Sequence, residues 1–197
     1  MKRSMLVLSA LALLAPAMVH AQGISVTPMA GVYIPASDLY EIRDDAEQIF
    51  TVDKEGAFAL GLNVELGMLR GSIAYATGAQ LNERGVTNQE NIGEGKLLAV
   101  AGDLVLRPIP RLIIVQPYLI AGAGLRREDY SYEDDGLAAA LPEDKSDFAL
   151  HAGIGADVML GRLGVVAEFT DFITQDEDDK WKQHDAFAFV GLKFRVF

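Results

Sequence analysis

Beyond residue 21 the chain offers few groups for covalent chemistry: two histidines, His151 and His184, and no cysteine at all. Hydrolysis or acyl transfer through a serine needs a base within hydrogen-bond reach of the nucleophile. The residues two positions from His151, Ala149 and Gly153, are not serines, so a lipid-modifying enzyme lacks its nucleophile beside that base. His184 lies next to Asp185 with Trp181 and Phe187 nearby, as a surface residue at a strand–loop junction would. Two histidines cannot supply a three-histidine zinc site. The lack of cysteine excludes disulfides, thiolate metal sites and thiol nucleophiles. No Asp-x-Asp-x-Asp-Gly calcium loop occurs, and no helix follows Gly122-Ala123-Gly124 or Gly153-Ile154-Gly155 to bind a phosphate. No enzyme, cofactor or metal is therefore expected. What remains is ionic: Glu65, Asp103, Asp157, Glu168, Lys193 and Arg195, isolated charges within apolar or small-residue runs.

These charges belong to a chain of 197 residues, half of them hydrophobic, with 28 acidic against 17 basic side chains and a net charge of −11. Such a balance argues against nucleic acid, whose phosphates need a basic face, while the hydrophobic half excludes a disordered acidic chain. Lys2 and Arg3 precede an apolar run over 6–15, Pro16 ends it, and Val19-His20-Ala21 supplies a cleavage site. This layout predicts a secretory signal peptide over 1–21, cleaved after Ala21, and a single domain over 22–197. The run is too short for a membrane anchor, which needs about 20 apolar residues.

Along the mature chain the recurring signal is alternation, the period of a β-strand. Phe58, Leu60, Leu62, Val64, Leu66 and Met68 share one face, opposite Ala59, Gly61, Asn63, Glu65 and Gly67. Phe148, Leu150, Ala152, Ile154, Ala156, Val158 and Leu160 repeat the pattern against Ala149, His151, Gly153, Gly155 and Asp157. Eight strands are predicted, at 23–34, 56–67, 69–79, 96–107, 113–126, 147–160, 163–173 and 185–197. Short connections at 68–69, 108–112 and 161–162 alternate with long ones at 35–55, 78–95, 127–146 and 174–184. That alternation predicts an all-β, eight-stranded antiparallel up-and-down barrel with both termini on the short-turn rim.

The composition of the two faces decides between water and lipid. A soluble barrel needs a polar outer face. Here one face is continuous Leu, Val, Ile and Phe, and the other is Gly, Ala and Ser with an isolated charge per strand. The first suits hydrocarbon and the second a narrow lumen, so a transmembrane barrel is expected, closed because lipid cannot satisfy a bare strand edge. The named charges then point inward. Glu65, Asp103, Asp157, Lys193 and Arg195 fall in the half nearer the short turns, with Glu168 near mid-height. In so narrow a bore they are expected to form an ion-pair network that plugs it. Tyr33, Phe58, Tyr75, Phe148, Phe169 and Trp181 are expected as an interfacial girdle, with Phe187 and Phe189 inside.

The terminal Gly191-Leu192-Lys193-Phe194-Arg195-Val196-Phe197 is similar to the C-terminal assembly signal of the small bacterial outer-membrane β-barrels, the family that includes the barrel domain of outer membrane protein A. Pro117-Tyr118-Leu119-Ile120-Ala121-Gly122-Ala123-Gly124 resembles a fifth-strand motif common in those barrels. The resemblance implies a cell outer-membrane location and insertion by the barrel-assembly machinery, with Gly191, Phe194, Val196 and Phe197 as the signal. It is nearly silent about activity.

Arginines flank the short connections (Arg70, Arg107 with Arg111, Arg162), whereas the long loops carry Asp44-Asp45, Glu133-Asp134-Asp135 and Asp176-Glu177-Asp178-Asp179. A mildly positive periplasmic rim and an acidic cell-surface rim follow. The expected molecule is a monomeric outer-membrane barrel, structural or surface-interacting, in contact with outer-membrane lipid and lipopolysaccharide. A narrow porin-like channel for small solutes or ions is the alternative.

Overall fold

Residues 23–35, 40–43, 49–84, 89–108, 114–132, 144–175 and 181–196 are described by the computed structural model. The signal peptide expected over 1–21, the acidic runs at 44–45, 133–135 and 176–179, Arg111 and Phe197 lie outside the described residues.

The alternating segments form ten strands: β1 (Ile24–Pro35), β2 (Tyr40–Arg43), β3 (Ile49–Lys54), β4 (Ala57–Leu66), β5 (Leu69–Arg84), β6 (Gln89–Leu106), β7 (Val115–Tyr132), β8 (Lys145–Leu160), β9 (Leu163–Gln175) and β10 (Trp181–Arg195). Eight of them make the barrel. Each of β4 to β9 pairs antiparallel with the next, and β1 pairs with both β4 and β10, which closes the cylinder. The connections between β4 and β5 and between β8 and β9 are tight, with Gly67 at φ 67° and Gly161 at φ 69°, values that suit hairpin turns and cost other residues strain.

Register fixes the shape. A row of hydrogen-bonded partners starting at Ser25 passes through Glu65, Arg70, Asp103, Gly122, His151, Phe172 and Asp185 and returns to β1 at Pro35, ten residues along. With about 3.3 Å per residue and 4.8 Å between strands, that offset tilts eight strands by about 40° and leaves a backbone cylinder about 16 Å across.

The faces are disposed as a lipid-embedded barrel requires. Leu60 is 48% exposed whereas its neighbour Ala59 is 0% exposed. Leu62, Val64, Val100, Leu119, Leu150, Ile154, Val165, Val190 and Leu192 likewise stand on the exterior. Inside, Met29, Tyr33, Phe172, Phe187 and Phe189 pack against Ala57, Ala59, Ala74, Ala76, Ala99 and Ala101.

Three expectations need correction. The connection over 35–55 contains the hairpin β2–β3, and β3 pairs with the loop-side end of β5. Strands β5, β6 and β7 also run past their expected ends. Their outer portions alternate among polar residues, so hydropathy does not reveal a ladder that backbone pairing sustains. A register shift between Ala76 and Ala79, with Gly78 at φ 63°, marks where β5 leaves the regular barrel. Finally, Tyr33 is no girdle residue: its parity turns it inward, where it is 1% exposed. Phe58, Phe148 and Phe169 do face outward.

Charge on the mid-belt exterior is the most direct test of this orientation. Leu62→Arg is expected to weaken folding into bilayers by about 2–4 kcal/mol, against about 0–1 kcal/mol for Leu160→Arg beside the turn. Denaturant titration in vesicles measures both. Equal costs at the two positions would contradict the placement of the belt.

Candidate functional site

The lumen holds two ionic clusters with an aromatic layer between them. Because β4, β6, β8 and β10 run toward the short turns, Glu65, Asp103, Asp157 and Lys193 lie near that end. Arg70, the second residue of β5, and Glu168, the sixth of β9, join them. Arg70 bridges two carboxylates, Nη2 to Glu65 at 2.7 Å and Nη1 to Glu168 at 2.6 Å. The Lys193 ammonium lies 2.8 Å from Glu65 and 3.3 Å from Asp157. Arg107 reaches Glu65 at 2.9 Å from the rim. The Tyr118 hydroxyl donates to Glu168 at 2.7 Å, and both Arg70 and Arg107 stand over its ring. A Cβ on Gly155 would come within 2.4 Å of that ring, so the ring's seat needs a glycine on the facing strand.

Asp103 belongs to a separate contact. One carboxylate oxygen accepts from the Ser72 hydroxyl, and the other lies 2.7 Å from His151 Nδ1. The His151 ring stacks on Phe172 with centroids 4.1 Å apart. Serine, aspartate and histidine are thus together, but not in the order of a Ser-His-Asp triad. A nucleophile must bond to the histidine, with the acid behind it; here Ser72 bonds to the acid.

Above His151, Phe172 meets Phe187 edge-on at 5.9 Å, and Phe187 stacks on Phe189 at 5.5 Å. Toward the loops the second cluster centres on Arg126, which is 1% exposed. Its Nε lies 2.6 Å from Asp185, Nη2 pairs with Glu128, and Nη1 is 3.6 Å from Asp147. Tyr33 donates its hydroxyl to Asp185.

Of the six charges singled out in the sequence, Glu65, Asp157, Glu168 and Lys193 lie together, and Asp103 is held apart by Ser72 and His151. Arg195, the last residue of β10 and the partner of Ser25, is exposed at the terminal rim, outside any such contact in the lumen. Gly191 faces inward, where a Cβ would meet Met29 at 2.5 Å, while Phe194 and Val196 face out. Arg70, taken above as a rim arginine, is buried. Its parity with Ser72 and Ala74 carries the signal that its place beside a turn conceals. Arg126, Glu128, Asp185, Tyr33 and Tyr118 were also missed. Arg126 shares the parity of Gly122 and Gly124, and Asp185 that of Phe187, so the inward face extended further than the hydrophobic alternation indicated.

Adjacent arginines separate the buried network from surface charge. Arg126→Leu removes the central partner of buried carboxylates and is expected to cost about 3–5 kcal/mol. Arg127, 59% exposed and paired with Asp129, is expected to tolerate leucine with no measurable loss. Chemical unfolding of the refolded variants in one detergent compares the two; similar losses would show that the upper cluster carries no special weight.

No protein-family model and no curated protein sequence matches this chain. Solved structures do. The crystal structure of Neisserial surface protein A is similar to it with 12% identity and a TM-score of 0.54, over 89% of this chain and 98% of that one. A major outer membrane protein from Thermus thermophilus has 15% identity and a TM-score of 0.49, over 90% of this chain and 100% of that one. Outer membrane protein W of E. coli has 14% identity and a TM-score of 0.44, over 90% and 100%. At such identities the first likeness speaks for fold alone, and that fold is the small, eight-stranded outer-membrane type of β-barrel.

Proposed function

We propose that this chain is a monomeric outer-membrane barrel, closed by its own side chains, whose role is structural or surface-interacting. The reading rests on one observation above the rest: the ring layer of Phe172, Phe187 and Phe189 lies across the lumen between two ionic clusters. Ions crossing the bore would have to break the Arg70 and Arg126 pairs and then pass the layer of aromatic rings, each step expensive in a low-dielectric interior. The aqueous surface left for work is the loop rim, where the acidic runs at 44–45, 133–135 and 176–179 are available to ligands, matrix or lipopolysaccharide. Cleavage after Ala21 accompanies export. The barrel-assembly machinery reads Gly191, Phe194, Val196 and Phe197. Catalysis has no place in this reading, since the Ser72 hydroxyl is committed to Asp103.

The rival is a narrow porin-like channel for small solutes or ions, and conductance separates the two. In planar bilayers the refolded protein is expected to give no stable unit conductance, whereas Phe172→Ala with Phe187→Ala, which cuts away the ring layer, is expected to give discrete openings. Stable openings in the unsubstituted protein would replace the closed barrel with the channel. Silence in the double variant would show that the ring layer is not what closes the lumen.

A further inference from the structure

The exterior carries an ionisable pair where a lipid-facing wall should have none. On β9 the outward residues include Phe169, Asp171 and Ile173, and on β10 His184, Ala186, Ala188 and Val190. Asp171 Oδ2 lies 2.6 Å from His184 Nδ1, with the two side chains 23% and 40% exposed. In register, Asp171 stands between Ala186 and Ala152. Exposed Ile34 stands opposite Ala186, and Leu150 and Phe148 lie further toward the loops on β8. Among the described residues, Asp171 is the one outward carboxylate with an apolar outward neighbour on each side along its own strand. Other outward acids, such as Glu94, Asp129 and Asp144, lie beyond the apolar belt. Ionisable groups at membrane depth are costly and are retained for a purpose.

Directly below this pair the wall is hollow. The next outward row, Val32, Ala188, Phe169 and Ile154, borders a groove of about 670 Å³, where Ala30 and Ala167 leave the space that longer side chains fill elsewhere. The lining is apolar, so hydrocarbon is what enters it. Lipid chains gain no hydrophobic energy by leaving other chains, so residence must come from packing in the groove together with a polar contact at its end. Asp171 and His184 supply that contact at the loop-side end of the groove, with carboxylate oxygen and ring nitrogen 2.6 Å apart.

We propose that this surface is a lipid-binding site: one acyl chain of an outer-leaflet lipid lies in the groove, and its phosphorylated head group meets the His184–Asp171 pair. The proposal rests on the membrane reading above. It adds a named site to what would otherwise be a uniform annulus.

Native mass spectrometry of the refolded protein, released from micelles containing dimyristoylphosphatidylglycerol, tests it, with dimyristoylglycerol as the arm lacking the phosphate. The unsubstituted protein is expected to retain one phosphatidylglycerol and at least tenfold less diacylglycerol. Ala167→Leu with Ala188→Leu, which fills the groove from outside the barrel, is expected to lower phosphatidylglycerol retention about tenfold. His184→Gln is expected to erase the preference between the two lipids. A heat-modifiability gel confirms that each variant is closed. Equal retention in all folded variants would reduce the groove to ordinary annular contact. A dimer mass that the filled groove abolishes would make it a contact between two copies. Either result overturns the lipid site while leaving the barrel intact, whereas failure of the unsubstituted protein to insert into membranes would remove the reading beneath it.

Discussion

Every backbone donor and acceptor that crosses hydrocarbon must be paired within the protein, and in this chain that demand is met by joining β1 to β10 with an offset of ten residues. The offset sets the tilt, and the tilt sets the width. The interior is divided accordingly: β4, β5 and β6 present alanine at Ala59, Ala74, Ala76, Ala99 and Ala101, while β9, β10 and β1 present Phe172, Phe187, Phe189, Tyr33 and Met29. Rings on one wall fill the space that alanines leave on the other. Neither wall makes sense alone, since a cylinder of this width cannot hold rings from both sides or stay packed with alanine from both.

The same narrowness explains the ionic chemistry. In the lower cluster Glu65, Asp157 and Glu168 stand against Arg70, Arg107 and Lys193, three carboxylates and three cations, with Asp103 assigned to Ser72 and His151. In the upper cluster Arg126 stands against Glu128, Asp147 and Asp185, relieved by Lys145 at 3.4 Å from Asp147 and by the Tyr33 hydroxyl. The lower end is balanced, and the loop end carries an excess of acid that continues the sign of the loops. Burying such charges returns little net stability, because desolvation offsets most of the attraction. Their contribution has to be sought elsewhere than in the sum of pair energies.

Strand existence and orientation were legible because hydropathy in a lipid-facing wall alternates over Phe58 to Leu66 and again, Met159 apart, over Phe148 to Leu160. The inward place of Glu65, Asp157, Glu168 and Lys193 followed from that parity. Their partners were harder to see. Arg70 lies one residue into its strand, Arg126 and Asp185 lie where polar residues take over from apolar ones, and a sequence near either rim looks alike whether a side chain turns in or out. Tyr33 shows the same ambiguity, since an aromatic near a strand end suits a girdle and a core equally well, and only parity with Met29 separates them. The β2–β3 hairpin was hidden for a different reason: it lies above the membrane, where neither face of a strand has to be apolar. The Asp171–His184 pair escaped notice because its residues come from two strands whose register the sequence does not state.

Register is where the buried charges act. A slip of β5 by one residue against β4 would turn Arg70 and Ser72 toward hydrocarbon and drive Leu69 and Ile73 into the bore. It would also strand Glu65 and Glu168 without their shared guanidinium, a penalty far larger than the pair's net worth in the correct register. The alanines and glycines of the inner face penalise such a slip weakly because they fit either side of a sheet. The ionic residues are placed where that weakness is greatest: Arg70 beside the tight β4–β5 turn, Lys193 near the end of the strand that must find β1, and Arg126 where β7 rises past the belt. The clusters therefore make each wrong alignment of the closing strands costlier than the right one.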